Sequence, residues 1–160
     1  MRTRSLLPAS LALIVGGLLW LAILALWPDP ATEHELLRPA DADVVAQGGE
    51  VYEAACASCH GEDLEGEGDW RRRDADGYLP APPHDETGHT WHHPDRMLFE
   101  MTKYGMEPFA GADYPSNMPA FDGVLSDDEI VAVLSYIKSR WPEPIRRRHD
   151  TINEAARDRP

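Results

Sequence analysis

Cys56-Ala57-Ser58-Cys59-His60 is the stretch of this sequence that decides its fold. A Cys-x-x-Cys-His pattern is typical of covalent haem attachment. Two cysteines three positions apart lie close to one helical turn from each other, so both thiols can reach the two vinyl groups of one porphyrin. The histidine that follows is then placed to bind the iron. Because the chain has 2 cysteines and both lie in this motif, we predict one haem c, attached through Cys56 and Cys59, with His60 as an iron ligand.

A long uncharged segment lies near the start of the chain. No residue from Ser5 to Trp27 is charged, and the two basic residues Arg2 and Arg4 precede the segment. As a helix it would rise roughly 34 Å, which is enough to cross a bilayer core. Its end at Trp27 lacks the small residues of a signal-peptide cleavage site. We therefore predict an uncleaved transmembrane anchor over residues 1–27, and the basic residues before it place the rest of the chain outside the cytoplasm.

The charge of the chain is strongly acidic. All 28 acidic residues and all but two of the 15 basic residues follow residue 27. Such a balance disfavours binding to nucleic acid or to an anionic membrane face. It favours a protein partner with a basic docking patch.

The remainder of the chain divides into three parts. Residues 28–43 are proline-rich and polar, which predicts a tether. Residues 44–141 are the predicted folded domain, which is largely helical, and its first helical pattern begins at Val44 with Asp43 as the expected N-cap. Residues 142–160 are charged, which predicts a tail that contains at most one short helix. No catalytic or ligand-binding residue is predicted there.

Two further helices are predicted inside residues 44–141. Pro94-Asp95 opens the first of them and Gly105 ends it. Its expected inner stripe is Met97, Leu98, Met101 and Tyr104. Ser126 and Glu129 form the pattern of a capping box, which opens the last helix. The expected inner stripe of that helix is Ile130, Val133, Leu134, Ile137 and Trp141, and Pro142 closes it.

In this order of elements, residues 44–141 resemble the class I cytochromes c. In that family the first and last helices cross at a contact between a glycine and an aromatic residue. Gly48 and Tyr52 stand at the family's positions before the first cysteine, and Tyr136 fits the aromatic partner. The resemblance implies an all-α fold of three to four helices wrapped round one covalent haem, here preceded by one N-terminal transmembrane helix.

The resemblance also implies two further site residues. Asn117-Met118-Pro119-Ala120-Phe121 is similar to the family's methionine loop, which makes Met118 the expected sixth iron ligand, opposite His60. The other candidates in this part of the chain are Met97, Met101 and Met106, which lack those flanking residues. In the family, a proline carbonyl accepts a hydrogen bond from the proximal histidine. Pro82 is the expected residue here, with Pro83 as the alternative.

Four histidines lie within ten residues, at positions 84, 89, 92 and 93. They could bind copper or zinc, because imidazole suits both metals. One of them could instead be the sixth iron ligand. The simplest interpretation is that His84, His89, His92 and His93 pack and form hydrogen bonds near the haem. A Cys2His2 zinc site of Cys56, Cys59, His89 and His93 is also conceivable, although the gap between the pairs is too long for a compact finger.

The resemblance implies one-electron transfer by a carrier that is not an enzyme. It implies a bacterial inner membrane protein whose haem domain lies in the periplasm, at the end of a periplasmic tether, as part of a respiratory chain. The implied donor is a quinol–cytochrome c oxidoreductase or a dehydrogenase, and the implied acceptor is a terminal oxidase or reductase. Two alternatives are a fixed haem subunit of a larger oxidoreductase and a haem or metal sensor that uses the loop from His84 to His93.

Overall fold

Residues 35–158 are described in a computed structural model of the protein, and this part of the chain is helical with no β-strand. The helices are α1 (Ala42–Ala55), α2 (Ala57–His60), a 3-10 helix (Thr90–His92), α3 (Asp95–Tyr104), α4 (Glu107–Ala110), α5 (Asp127–Arg140) and α6 (Glu143–Arg157). The prediction of an all-α fold is therefore confirmed. The predicted membrane anchor over residues 1–27 lies outside the described residues. Within 35–158, no helix is long and apolar enough to cross a membrane.

Helix α1 begins two residues earlier than the sequence pattern predicted. Its N-cap is Asp41, whose side chain accepts hydrogen bonds from the backbone N–H groups of Asp43 and Val44, at 3.2 and 3.3 Å. The prediction of Asp43 as the cap is therefore wrong. Asp43 lies in the first turn, where a carboxylate is stabilised by the positive end of the helix dipole.

The folded unit also begins before Val44. The compact unit starts at Leu36, and the side chain of Leu37 is only 1% exposed. The backbone N–H of Leu37 donates to Asp95 Oδ2 at 3.3 Å, and that of Arg38 donates to Ser135 Oγ at 2.8 Å. Residues 36–43 of the predicted tether (28–43) therefore belong to the domain, because a single buried leucine and two backbone hydrogen bonds hold them there.

Helices α1 and α5 cross at Gly48, as the sequence predicted. A Cβ atom added to Gly48 would lie 2.0 Å from the carbonyl oxygen of Ala132 and 2.8 Å from Tyr136 Cβ. The rings of Tyr52 and Tyr136 lie 5.5 Å apart at the same crossing. Only a residue without a side chain allows two helix backbones to approach this closely.

The last two predicted helices have the predicted bounds, but one inner face differs. Helix α5 has its capping box, and its whole expected stripe is buried. In helix α3 the predicted Leu98 is buried, Met97 and Met101 are half-buried, and Tyr104 is 49% exposed. The helix also buries Asp95 and Thr102, which the prediction did not include. The backbone N–H of Phe121, the last residue of the methionine loop, donates to the Thr102 carbonyl at 3.2 Å, so the end of that loop lies beside Thr102.

The predicted tail, residues 142–160, is largely a helix that packs on the domain. Helix α6 buries His149 and Asn153, which lie four residues apart on one face. The Asn153 side chain accepts from the backbone N–H of Asp95 at 2.7 Å and donates to Asp95 Oδ1 at 2.9 Å. His149 Nε2 donates to the carbonyl of His93 at 3.0 Å. A search for apolar periodicity misses this helix because its buried face is polar.

Candidate haem site

His60 is the last residue of α2 and its ring is held by a single hydrogen bond. The residue is 7% exposed, and its Nδ1 lies 2.8 Å from the carbonyl oxygen of Pro82. Since a carbonyl oxygen can only accept, Nδ1 carries the proton and Nε2 keeps its lone pair. Burial lowers the pKa of His60, partly opposed by this hydrogen bond, so the imidazole is neutral at neutral pH. This is the tautomer that binds a metal through Nε2.

The carbonyl of Pro82 is placed by two chain segments that run side by side. The backbone N–H of Gly66 donates to the His60 carbonyl at 2.8 Å, and the N–H of His84 donates to the Leu64 carbonyl at 2.7 Å. Gly66 has a φ of +65°, and a Cβ there would lie 2.4 Å from Pro83 N. A glycine at position 66 is therefore what lets the two segments touch. The hydrogen bond expected for His60 is present, and Pro82 rather than Pro83 accepts it.

The two cysteines lie at the junction of α1 and α2. The helix breaks at Cys56, whose φ of −122° departs from helical values, and its backbone N–H still donates to the Tyr52 carbonyl at 2.9 Å. Both thiols are free, Cys56 being half-buried and Cys59 exposed. Burial, together with the neighbouring Cys59, raises the pKa of Cys56 to about 11.

The raised pKa of the Cys56 thiol has a chemical consequence. Metal binding and disulfide exchange both require the thiolate, which is scarce at neutral pH when the pKa is high. The sulfur of a thioether carries no charge, so it can stay half-buried without the free-energy cost of burying a thiolate. Among residues 35–158, no three His, Cys, Asp or Glu side chains form a group that could hold a metal ion. The Cys2His2 zinc alternative thus has no support, whereas the two thiols of Cys56 and Cys59 and the Nε2 lone pair of His60 fit a covalently attached haem.

Met118 lies in an irregular loop that is anchored at its far end. The side chain is half-buried, and its backbone N–H donates to Ser116 Oγ at 3.2 Å. Just beyond it, the N–H groups of Phe121 and Asp122 donate to the last turn of α3, at 3.2 and 2.8 Å. Met97, Met101 and Met106 are half-buried as well, so burial alone does not select the ligand.

The four histidines of the loop each have an aromatic neighbour. His89 stacks on Trp70 with ring centres 5.2 Å apart, His92 stacks on Trp91 at 3.7 Å, and the ring of His93 meets His89 edge-on at 5.5 Å. These contacts favour the packing interpretation of the loop. The copper or zinc interpretation finds no ligand group in the described part of the chain.

His84 differs from the other three because it contacts His60. The two rings stack with centres 3.9 Å apart and planes 23° from parallel. His84 Nδ1 also pairs with Thr90 Oγ1 at 2.8 Å. Sequence reasoning placed His84 in the loop but missed this contact, since nothing in the local sequence pattern signals it.

The comparisons with known proteins agree with this geometry. A family model described as Cytochrome c matches residues 45–141, which is more than half of the chain. The chain belongs to the cytochrome c family, and it is a class I c-type cytochrome. Members of the family bind haem c covalently through cysteines, and the chain has Cys56 and Cys59 for this purpose. No curated protein and no solved structure gives a significant match to the chain.

Proposed function

We propose that the protein is a membrane-anchored, one-electron carrier whose haem iron is bound by His60 and Met118. The observation that carries the proposal is the hydrogen bond from His60 Nδ1 to Pro82 O at 2.8 Å, directly after the two cysteines. It fixes the tautomer and the ring orientation of His60 and makes the ligand more electron-rich. Haem-based electron transfer is the function of the family to which the chain belongs.

The proposed ligand set determines what the site can do. The haem, when bound, exchanges one electron between its ferric and ferrous forms. Met118 offers a soft thioether, which favours the ferrous form and raises the potential. If His60 and Met118 both held the iron, no coordination position would be left for a substrate, so electron transfer would be favoured over chemistry on a ligand.

The position of the carrier follows from the uncharged segment from Ser5 to Trp27. We propose that this segment anchors the protein in a bacterial inner membrane, with the haem domain in the periplasm. Confinement to the membrane surface raises the effective concentration of the domain near a fixed partner. The proposed donor is a quinol–cytochrome c oxidoreductase or a dehydrogenase, and the proposed acceptor is a terminal oxidase or reductase.

The test is a redox titration of the haem-loaded, full-length protein, followed by absorption spectroscopy. We expect a single one-electron transition, a positive potential, and a methionine-to-iron charge-transfer band in the ferric form that is lost in Met118→Ala and kept in Met106→Ala. A strongly negative potential without that band would overturn the proposed ligand set. Affinity purification from the native membrane provides a second test. A stoichiometric complex with an oxidoreductase would make the protein a fixed haem subunit rather than a free carrier.

A further inference from the structure

Hydrogen bonds hold both the backbone and the side chain of His84. Its backbone N–H donates to the Leu64 carbonyl at 2.7 Å, and its own carbonyl accepts from Trp141 Nε1 at 2.7 Å. Its ring is fixed by the pairing with Thr90 Oγ1 at 2.8 Å. Three contacts from three parts of the chain therefore set both the position and the rotation of this imidazole.

The fixed ring lies against the face of His60. Ring centres 3.9 Å apart and an angle of 23° describe a close stack. The Pro82 carbonyl restrains His60 through one edge of its ring, at Nδ1. A hydrogen bond at one atom still leaves the ring free to rock about the bond direction, and a stacked neighbour removes that freedom.

We propose that His84 is a positioning residue for His60: its ring, oriented by Thr90, fixes the rotation of the His60 imidazole and places an electron-rich face against it. This inference rests on the proposed ligation of the iron by His60. It gives His84 a role in orienting His60, which differs from both the second-metal and the packing interpretations of the histidine loop.

The same geometry excludes His84 as the sixth ligand while the stack holds. Two ligands on opposite sides of an iron lie end to end along the metal axis, and they cannot stack ring on ring. A ring stacked on His60 would lie on the same side of a haem as His60 itself. His84 would therefore act on the iron through His60 rather than directly.

An aromatic ring at this position has a physical consequence for His60. If His60 binds the iron, its ring would carry more positive charge in the ferric form, and a positive charge is attracted to the face of an aromatic ring stacked on it. His84 therefore favours the ferric form.

Four variants of the haem-loaded, full-length protein test the proposal. His84→Leu removes the aromatic face, His84→Phe keeps it, and Thr90→Val removes the hydroxyl that orients it. His92→Leu is the matched control, because His92 lies in the same loop but stacks on Trp91. The measurements are the midpoint potential and the pattern of haem methyl shifts in the ferric NMR spectrum, which reports the orientation of the axial imidazole.

In His84→Leu we expect the ferrous-to-ferric ratio at a fixed potential to rise about threefold to tenfold, judged from the strength of cation–π contacts. Tenfold corresponds to about 59 mV for a one-electron couple. We expect His84→Phe to restore most of the potential. Thr90→Val should alter the methyl shift pattern in the same sense as His84→Leu but less, and His92→Leu should match the wild type in both measurements.

Two results would overturn the inference in distinguishable ways. If His84→Leu keeps the wild-type potential and shift pattern, or if His84→Phe behaves like His84→Leu, the stacked ring has no role at the iron. If His84→Leu does not take up haem, the midpoint potentials and methyl shift patterns of His84→Phe and Thr90→Val are compared with those of the wild type, and this comparison decides whether the stacked ring has a role at the iron. Electron–nuclear double resonance on 15N-histidine-labelled wild-type protein tests the ligation itself. Absence of an iron-bound histidine nitrogen there would remove the proposed function together with the inference.

Discussion

The crossing of α1 and α5 at Gly48 gives the most quantitative prediction. In Gly48→Ala, the new Cβ would lie 2.0 Å from the Ala132 carbonyl oxygen and 2.5 Å from its carbon. A carbon and a carbonyl oxygen normally stay about 3.3–3.6 Å apart. Both atoms at Ala132 are backbone, so no side-chain rotation can relieve the overlap, and the helices must separate by roughly 1 Å.

The cost of that separation can be estimated. A radial gap of about 0.5–1 Å forfeits a quarter to a half of the dispersion energy of each contact. Overpacked cores typically lose about 1–3 kcal/mol, and a rigid backbone contact belongs at the upper end of that range. Alanine regains at most about 1 kcal/mol of helix propensity. We therefore expect Gly48→Ala to lower the free energy of unfolding by about 2 kcal/mol or more.

Gly49→Ala is the matched control, one residue away in the same helix. Its Cβ would meet Tyr136 Cε2 at 3.4 Å, which is an ordinary contact. The variant should be neutral or more stable by about 0.5–1 kcal/mol, because alanine is the better helix former. Urea unfolding of the haem-loaded protein, followed by circular dichroism and by haem absorbance, measures both free energies. Equal stability of the two variants would refute the close approach at Gly48.

Two further predictions concern helix α6. Asn153→Ala removes both hydrogen bonds to Asp95 and should lower the free energy of unfolding by about 1–3 kcal/mol, while the exposed Thr151→Ala should stay near the wild type in the same urea titration. Burial lowers the pKa of His149, and the negative charge of Asp95 opposes this only in part. Below the ordinary histidine pKa of about 6.5, the unfolded chain therefore binds more protons at this residue than the folded chain does. Stability should therefore fall as the pH drops from about 7 towards the lowered folded-state value, and His149→Gln should flatten that slope; a slope unchanged by the substitution would count against the buried neutral histidine.

Much of the fold follows from local sequence signals. The capping box at Ser126 and the apolar stripe of α5 predicted that helix because each depends on residues a few positions apart. Gly48 marked the helix crossing because a glycine inside a helix is costly unless a close approach requires it. The family resemblance added Pro82, whose carbonyl the structure places on His60 Nδ1.

The parts that the sequence did not predict depend on contacts between distant residues. Helix α6 buries a polar face that satisfies Asp95, 58 positions away from Asn153, and no local pattern reveals such a pair. The sequence could not distinguish Asp41 from Asp43 as the N-cap, because aspartate is equally favoured at either position. The stack of His84 on His60 arises from the pairing of two loop segments, which is set by Gly66 and Leu64 rather than by the histidines.

Carbon monoxide binding to the ferrous, haem-loaded protein tests the central claim most directly. If His60 and Met118 occupy both axial positions, the absorption spectrum of the wild type should not change when carbon monoxide is added at neutral pH. Met118→Ala opens one position and should bind the gas with a clear shift of the haem bands, whereas Met106→Ala should behave as the wild type. Full carbon monoxide binding by the wild type, or none by Met118→Ala, would contradict an electron carrier closed by His60 and Met118.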